Sequence, residues 1–135
     1  MVAACLRNRT AVARHLHEVS VLARRGVDSC VITVIAAGER WPDGSMRPAA
    51  EDLWGAGAVL AALVDLGVEG LSPEARVAEA AYRAIEHDVA AAVTECASGR
   101  ELVDGGFEDD VAIARELDVA DRVPVLSAGA FTHLP

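Results

Sequence analysis

Cys30-Val31-Ile32-Thr33-Val34-Ile35-Ala36-Ala37 is the stretch on which the fold reading turns. It is β-branched and apolar on both alternations, whereas a strand wet on one face would alternate apolar with polar. A run of this kind reads as a strand buried on both faces, as in a parallel sheet covered by helices. Upstream, Val2–Leu6 is a second short apolar run. Between the two, Val12, Leu16, Val19, Leu22 and Ala23 recur at helical spacing, with Asn8 or Thr10 placed to cap the helix and Gly26 to end it. Strand, helix 10–25 and strand make a βαβ unit with a right-handed crossover.

Downstream, Gly38 to Pro48 is a loop with a Pro42-Asp43-Gly44 turn signal. A helix to about Leu66 follows, in which Gly55 and Gly57 read as sites of close packing against the sheet. Ser72-Pro73-Glu74-Ala75 starts a long Ala-rich helix reaching about Cys96. A short helix opens at Ser98 and stops at Gly105-Gly106, and Phe107, Val111, Ala114 and Leu117 mark another. Val123–Leu126 reads as a short strand whose Pro124 confines it to an edge or a strand start. The expected fold is α/β: one domain over 1–135, with helices on a small, mostly parallel sheet. Few strands stand against many helices, so the expectation is an incomplete three-layer α/β/α domain.

The 135 residues carry 21 acidic and 12 basic side chains, a formal charge of -9. That balance argues against a nucleic-acid partner, which needs a basic face. No apolar run approaches the ~18 residues of a membrane span. Cys5, Cys30 and Cys96 are odd in number and widely spaced, which reads as free thiols in a cytoplasmic protein. No Gly-rich nucleotide-binding motif occurs.

Ligands of open α/β sheets bind beyond the carboxyl ends of the strands. Two loops leave those ends here, and they bring Arg7, Asn8, Glu39 and Arg40 to one edge. Glu51 and Asp52 sit in the first turn of the next helix. They are either partners of the helix dipole or, with Glu39, oxygen donors to Mg²⁺. Arg7, Arg40 and Arg47 are guanidinium forks suited to phosphate or sulfonate. Ser98-Gly99-Arg100 is either a helix cap or a further anion contact.

Several of these stretches also occur together in one family. Ala36-Ala37-Gly38-Glu39-Arg40, Pro48-Ala49-Ala50-Glu51-Asp52-Leu53 and Gly55-Ala56-Gly57 resemble the C-terminal half of 2-phosphosulfolactate phosphatases. Cys96-Ala97-Ser98-Gly99-Arg100-Glu101-Leu102, Gly106-Phe107, Asp109-Asp110-Val111 and Val123-Pro124-Val125-Leu126 continue the resemblance in order. Leu6-Arg7-Asn8 before Ala11-Val12-Ala13 is similar to the family's Asn-containing strand-to-helix step.

The resemblance implies a Mg²⁺-dependent phosphatase acting on 2-phospho-3-sulfolactate, on the route to coenzyme M, or on a similar small anionic phosphoester. By the same resemblance Glu39, Arg40 and Asn8 are catalytic, and Arg7, Ser98 and Arg100 contact substrate. Glu51, Asp52 and Glu39 hold the metal. The family's first half carries an Asp-bearing strand motif and a Thr-Asn-Gly motif that this sequence lacks. The expectation is therefore a truncated member, inactive alone unless it pairs with an N-terminal half or forms a homodimer. The alternative expectation is a non-catalytic fragment that completes its fold in the same way.

Overall fold

The computed structural model describes residues 1–25 and 30–133. The expected helix stop at Gly26 lies outside the described residues. Helix α1 spans Arg9–Arg25, α2 Ala50–Asp65, α3 Pro73–Ile85, α4 Val89–Glu95, α5 Ala97–Asp104 and α6 Glu108–Ala114. The strands are β1 (Glu39–Arg40), β2 (Met46–Arg47), β3 (Pro124–Ser127) and β4 (Ala130–His133). No described helix is long and apolar enough to cross a membrane.

The centre of the molecule is the crossing of α2 and α3. Ala58 and Ala61 of α2 are buried with Tyr82 of α3, Val89 and Val93 of α4, and Leu6. Small residues let the two backbones approach closely: a Cβ on Gly57 would stand 2.1 Å from the Ala78 carbonyl oxygen and 2.8 Å from Tyr82 Cβ. The close packing expected at this glycine is therefore real, but its partner is a helix. Gly55 has nothing within 4 Å of the same construction and faces open space. On the other side of α2, Val12 and Ala13 of α1 pack with Val59, Ala62 and Leu63.

Local chemistry sets the helix boundaries. Ser72 caps α3 by accepting from Ala75 N at 3.2 Å, with Pro73 in the first turn. The single long helix expected to reach Cys96 is divided in two. A 3-10 turn at Glu86–Asp88 interrupts it, and Asp88 then caps α4 by accepting from Ala91 N at 3.0 Å. A side chain that competes for backbone N–H groups ends one helix and starts the next. The cap expected from Asn8 or Thr10 comes instead from far along the chain. Thr10 N donates to Asp118 Oδ1 at 2.9 Å and Arg9 Nε to Asp118 Oδ2 at 3.0 Å.

The expected mostly parallel sheet does not form. The strands make two two-stranded antiparallel sheets, β1 with β2 and β3 with β4. The first apolar run contributes one antiparallel bridge, Val2 to Val125, with Ala3 N donating to Pro124 O at 3.0 Å. Residues 30–37 belong to no strand, so the βαβ unit is absent among the described residues. Hydropathy selects a segment able to be a strand, but a ladder also needs a neighbouring backbone. Val123–Leu126 does form a strand, β3, and its hairpin with β4 turns through Ala128 (φ 49°) and Gly129 (φ 82°). Two left-handed residues match the twist of the flanking strands. The structure is a mixed helix-and-strand chain in which helices supply the core and the hairpins lie at its margins.

The two glycines of α2 predict opposite outcomes. Gly57→Ala forces a methyl into the Ala78 backbone and lowers unfolding free energy by about 1–3 kcal/mol. Gly55→Ala meets nothing and raises it by about 0.5–1 kcal/mol through helix propensity. Urea unfolding of the two variants beside the parent chain reads both signs.

Candidate functional site

The β1–β2 hairpin, the first turn of α2 and the start of α5 meet at one corner of the molecule. The hairpin turn is closed by Trp41 N donating to Ser45 O at 2.8 Å and by Arg40 Nη1 donating to Gly44 O at 2.9 Å. Asp43 accepts from both the backbone and the hydroxyl of Ser45, which holds its carboxyl below the ordinary range. The pairing of Glu39 with Arg47 across the hairpin sets their side chains beside each other.

Arg47 is the cation at the middle of this corner. It donates to both carboxylate oxygens of Glu101 on α5, at 2.8 and 2.9 Å, and lies 3.2 Å from Glu39 Oε2. Its guanidinium also stacks over Trp41, 4.9 Å from the ring centre. The bond from Arg47 lowers the Glu101 carboxyl, and Glu101, Glu39 and Glu51 all favour the charged guanidinium. Ser98 Oγ donates to Glu39 Oε1 at 3.1 Å, so Glu39 is held from two elements at once.

Glu51 and Asp52 enter from α2, whose cap residue Ala49 has no side chain able to accept from the first turn. Asp52 is half-buried. Burial pushes its carboxyl above the ordinary value of 3.8, the Gly38 backbone N–H beside it acts the other way, and the charges of Glu51 and Glu39 raise it further. The Cys96 thiol donates to Glu51 Oε2 at 3.5 Å and is itself pushed up, chiefly by burial. Cys96 Sγ also accepts from Gly99 N at 3.4 Å and is the N-cap of α5. The cap that the sequence offered at Ser98 therefore falls two residues earlier, at Cys96, and the Ser98 hydroxyl faces Glu39 instead. Gly99 has no room for a side chain, because a Cβ there would stand 2.1 Å from Val93 O.

The structure thus brings together Glu39, Glu51, Asp52 and Ser98 from the expected site. Arg40 and Arg100 are exposed near it, one on the hairpin and one on α5. Arg7 and Asn8 are held elsewhere. Arg7 donates to Ile113 O in the last turn of α6 and pairs with Glu116 just beyond it. Asn8 is 6% exposed; it accepts from Cys5 N at 2.8 Å and donates to Arg122 O at 3.0 Å. With both ends of its amide used inside the fold, Asn8 ties the chain start to the β3 approach. The expectation that both loops share one edge required the parallel strand pair that is absent. Cys96 and Glu101 were missed as members of the corner, and Arg47, read as a fork for phosphate or sulfonate, is instead engaged by Glu101 and Glu39. The available signal was the Cys96–Leu102 stretch, whose turn between two helices points its first residues toward α2.

Carboxylates outnumber the one engaged guanidinium here, so the corner suits a hard cation. Among the described residues no three His, Cys, Asp or Glu side chains converge on one metal position. The adjacent carboxylates of Glu51 and Asp52 are the residues here that could hold such an ion, and a hard cation bound by one or two carboxylates takes water or phosphate at its other positions. Asp52→Asn tests the strain in this arrangement. A carboxyl raised on folding stabilises least when ionised. Its cost is absent below the unfolded value of 3.8 and grows as pH rises through the window above it. The Asn variant melts higher than the parent at pH 7, and the difference closes as the pH falls below that value; pH-dependent thermal melts measure both.

A search of curated proteins finds no match to this chain. A family model does match: that of 2-phosphosulpholactate phosphatase, over residues 1–129. The match runs from the first residue through the hairpin, α2, the α4–α5 junction and β3, and so contains every side chain of the corner just described. The chain belongs to the 2-phosphosulpholactate phosphatase family.

Proposed function

We propose that this chain carries a phosphatase site for a small anionic phosphoester of the 2-phospho-3-sulfolactate class, dependent on Mg²⁺, at the corner between β1–β2, α2 and α5. The observation that carries the reading is the cluster of Glu39, Glu51 and Asp52 around Gly38, within a chain that belongs to this family.

Glu51 and Asp52 would hold the ion, being adjacent on the first turn of α2 and each presenting hard oxygen. Bound Mg²⁺ supplies charge to offset the phosphate and polarises the phosphoryl group. The excess of carboxylates repels a phosphoester on its own, so cation and substrate bind together more readily than substrate alone. Glu39 is oriented by Arg47 and Ser98, and its carboxylate is the group positioned to receive a proton from the attacking water. That water adds to phosphorus, the ester bond to carbon-borne oxygen breaks, and the alcohol leaves with a proton as phosphate is released. The exposed guanidinium groups of Arg40 and Arg100 suit the sulfonate and carboxylate ends of the substrate.

The test is phosphate release from phosphosulfolactate, with and without Mg²⁺. Glu51→Gln and Asp52→Asn each lower it by at least about 100-fold, the upper end of what losing an outer-shell metal partner costs. Asp52→Asn does so while gaining stability, which separates lost chemistry from lost folding. Unchanged release in both variants overturns the assignment of the ion to this corner.

A further inference from the structure

Both holds on the Glu39 carboxylate run back to α5. Oε1 accepts from Ser98 Oγ at 3.1 Å, and Oε2 lies 3.2 Å from Arg47 Nη1. Ser98 and Glu101 stand three residues apart on α5, so they are neighbours on one helix face. Ser98 reaches Glu39 directly, whereas Glu101 reaches it only through Arg47. The hydrogen bonds of that guanidinium go to Glu101: Nη1 and Nη2 each donate to one of its carboxylate oxygens, and the contact with Glu39 is an ion pair made by Nη1. Trp41 stacks on the guanidinium and fixes its plane. The Arg47 side chain is 15% exposed and that of Glu101 61%. An ion pair so open to water adds little to stability, and what Glu101 contributes is the direction of the fork.

We infer that Glu101 is a positioning residue of this site: by taking both outer nitrogens of Arg47, it keeps the fork from closing on Glu39. The assignment rests on the reading of this corner as the phosphatase site. An ionised carboxylate has about four lone-pair positions, and Ser98 and Arg47 Nη1 leave room on Glu39 for a water. Without Glu101 the carboxylates left around the fork are Glu39 and Glu51. Arg47 then turns onto Glu39 at two points, occupies the positions a water needs and makes the carboxylate a poorer base.

Steady-state phosphate release from phosphosulfolactate with Mg²⁺ tests it. Glu101→Ala lowers kcat by about 10–100-fold, the scale of a misplaced reacting group. KM stays within about 2-fold, because Glu101 touches no substrate. Its thermal melt matches the parent; should it melt lower, Glu101→Gln, of the same size but uncharged, takes its place with the same expectation. Arg47→Met combined with Glu101→Ala is no slower than Arg47→Met alone, since Glu101 acts through Arg47. Asp104→Asn removes the same charge three residues further along α5 and leaves kcat at the parent value. A crystal structure of Glu101→Ala shows Arg47 as a two-point fork on Glu39. An active parent whose Glu101→Ala variant keeps the parent kcat overturns this assignment and leaves the phosphatase reading standing. So does an equal loss in Asp104→Asn, a double variant whose loss is the product of the two single losses, or an Arg47 unmoved in the crystal. A parent chain that releases no phosphate overturns the phosphatase reading and this assignment with it.

Discussion

The approach of two helix backbones at Gly57 fixes where everything else lies. With the Ala78 carbonyl occupying the space of a side chain, α2 and α3 are held closer than any larger residue permits. Tyr82 sits at this crossing with 0% exposure, and its hydroxyl accepts from Arg9 while the guanidinium lies 5.0 Å from the ring centre. Arg9 begins α1 and also binds Asp118, so one buried phenol links the core crossing to the cap of α1. Asp118 adopts a left-handed backbone (φ 51°) to reach that cap, while its own N–H donates to Leu6 O. The strain at that residue is offset by the helix N–H groups it satisfies. Arg83, one residue on, extends the tie by binding Asp65 at the end of α2 and both Glu79 and Glu86 on its own side.

The same crossing aims the first turn of α2 at the start of α5. The polar corner so formed is held together by side chains that join different elements. Arg47 spans the hairpin and α5, Ser98 spans α5 and the hairpin, and Cys96 spans α5 and α2. A site built by three separate segments is positioned by the core beneath them, and only one of its members, Asp52, carries a clear electrostatic penalty.

Patterns of local origin were legible in the sequence. The Ser72-Pro73 start and the turn at Pro42-Asp43-Gly44 depend on neighbours in the chain, and each forms where expected; α1 also forms, but Val19 and Leu22 of its expected apolar stripe are exposed. The acidic pair at the start of α2 was visible for the same reason, as was the family resemblance in the order of short motifs. Sheet topology was not legible, because hydropathy says that Val31–Ile35 avoids water without saying which backbone it meets. The roles of Arg7 and Asn8 were misplaced through that same step: their proximity to Glu39 was inferred from a strand pairing that does not occur. The break at Asp88 and the remote cap from Asp118 were equally out of reach, since each turns on one side chain competing with a continuous helical pattern.

Residues 30–37 and the site lie on one continuous piece of backbone. Residues 30–37 run directly into Gly38, whose N–H stands beside Asp52, and into Glu39, whose carboxylate is shared by Arg47 and Ser98. Backbone without a ladder retains conformational freedom, worth about 1–2 kcal/mol for each residue left unfixed. The hairpin fixes Glu39 from its far side through Arg47, and the near side has only Ile32 and Val34 against the body. Order along 30–37 and order in the carboxylate cluster are thus coupled through one stretch of backbone, so the geometry of Glu39 against Asp52 depends on how that stretch is held as well as on the helices.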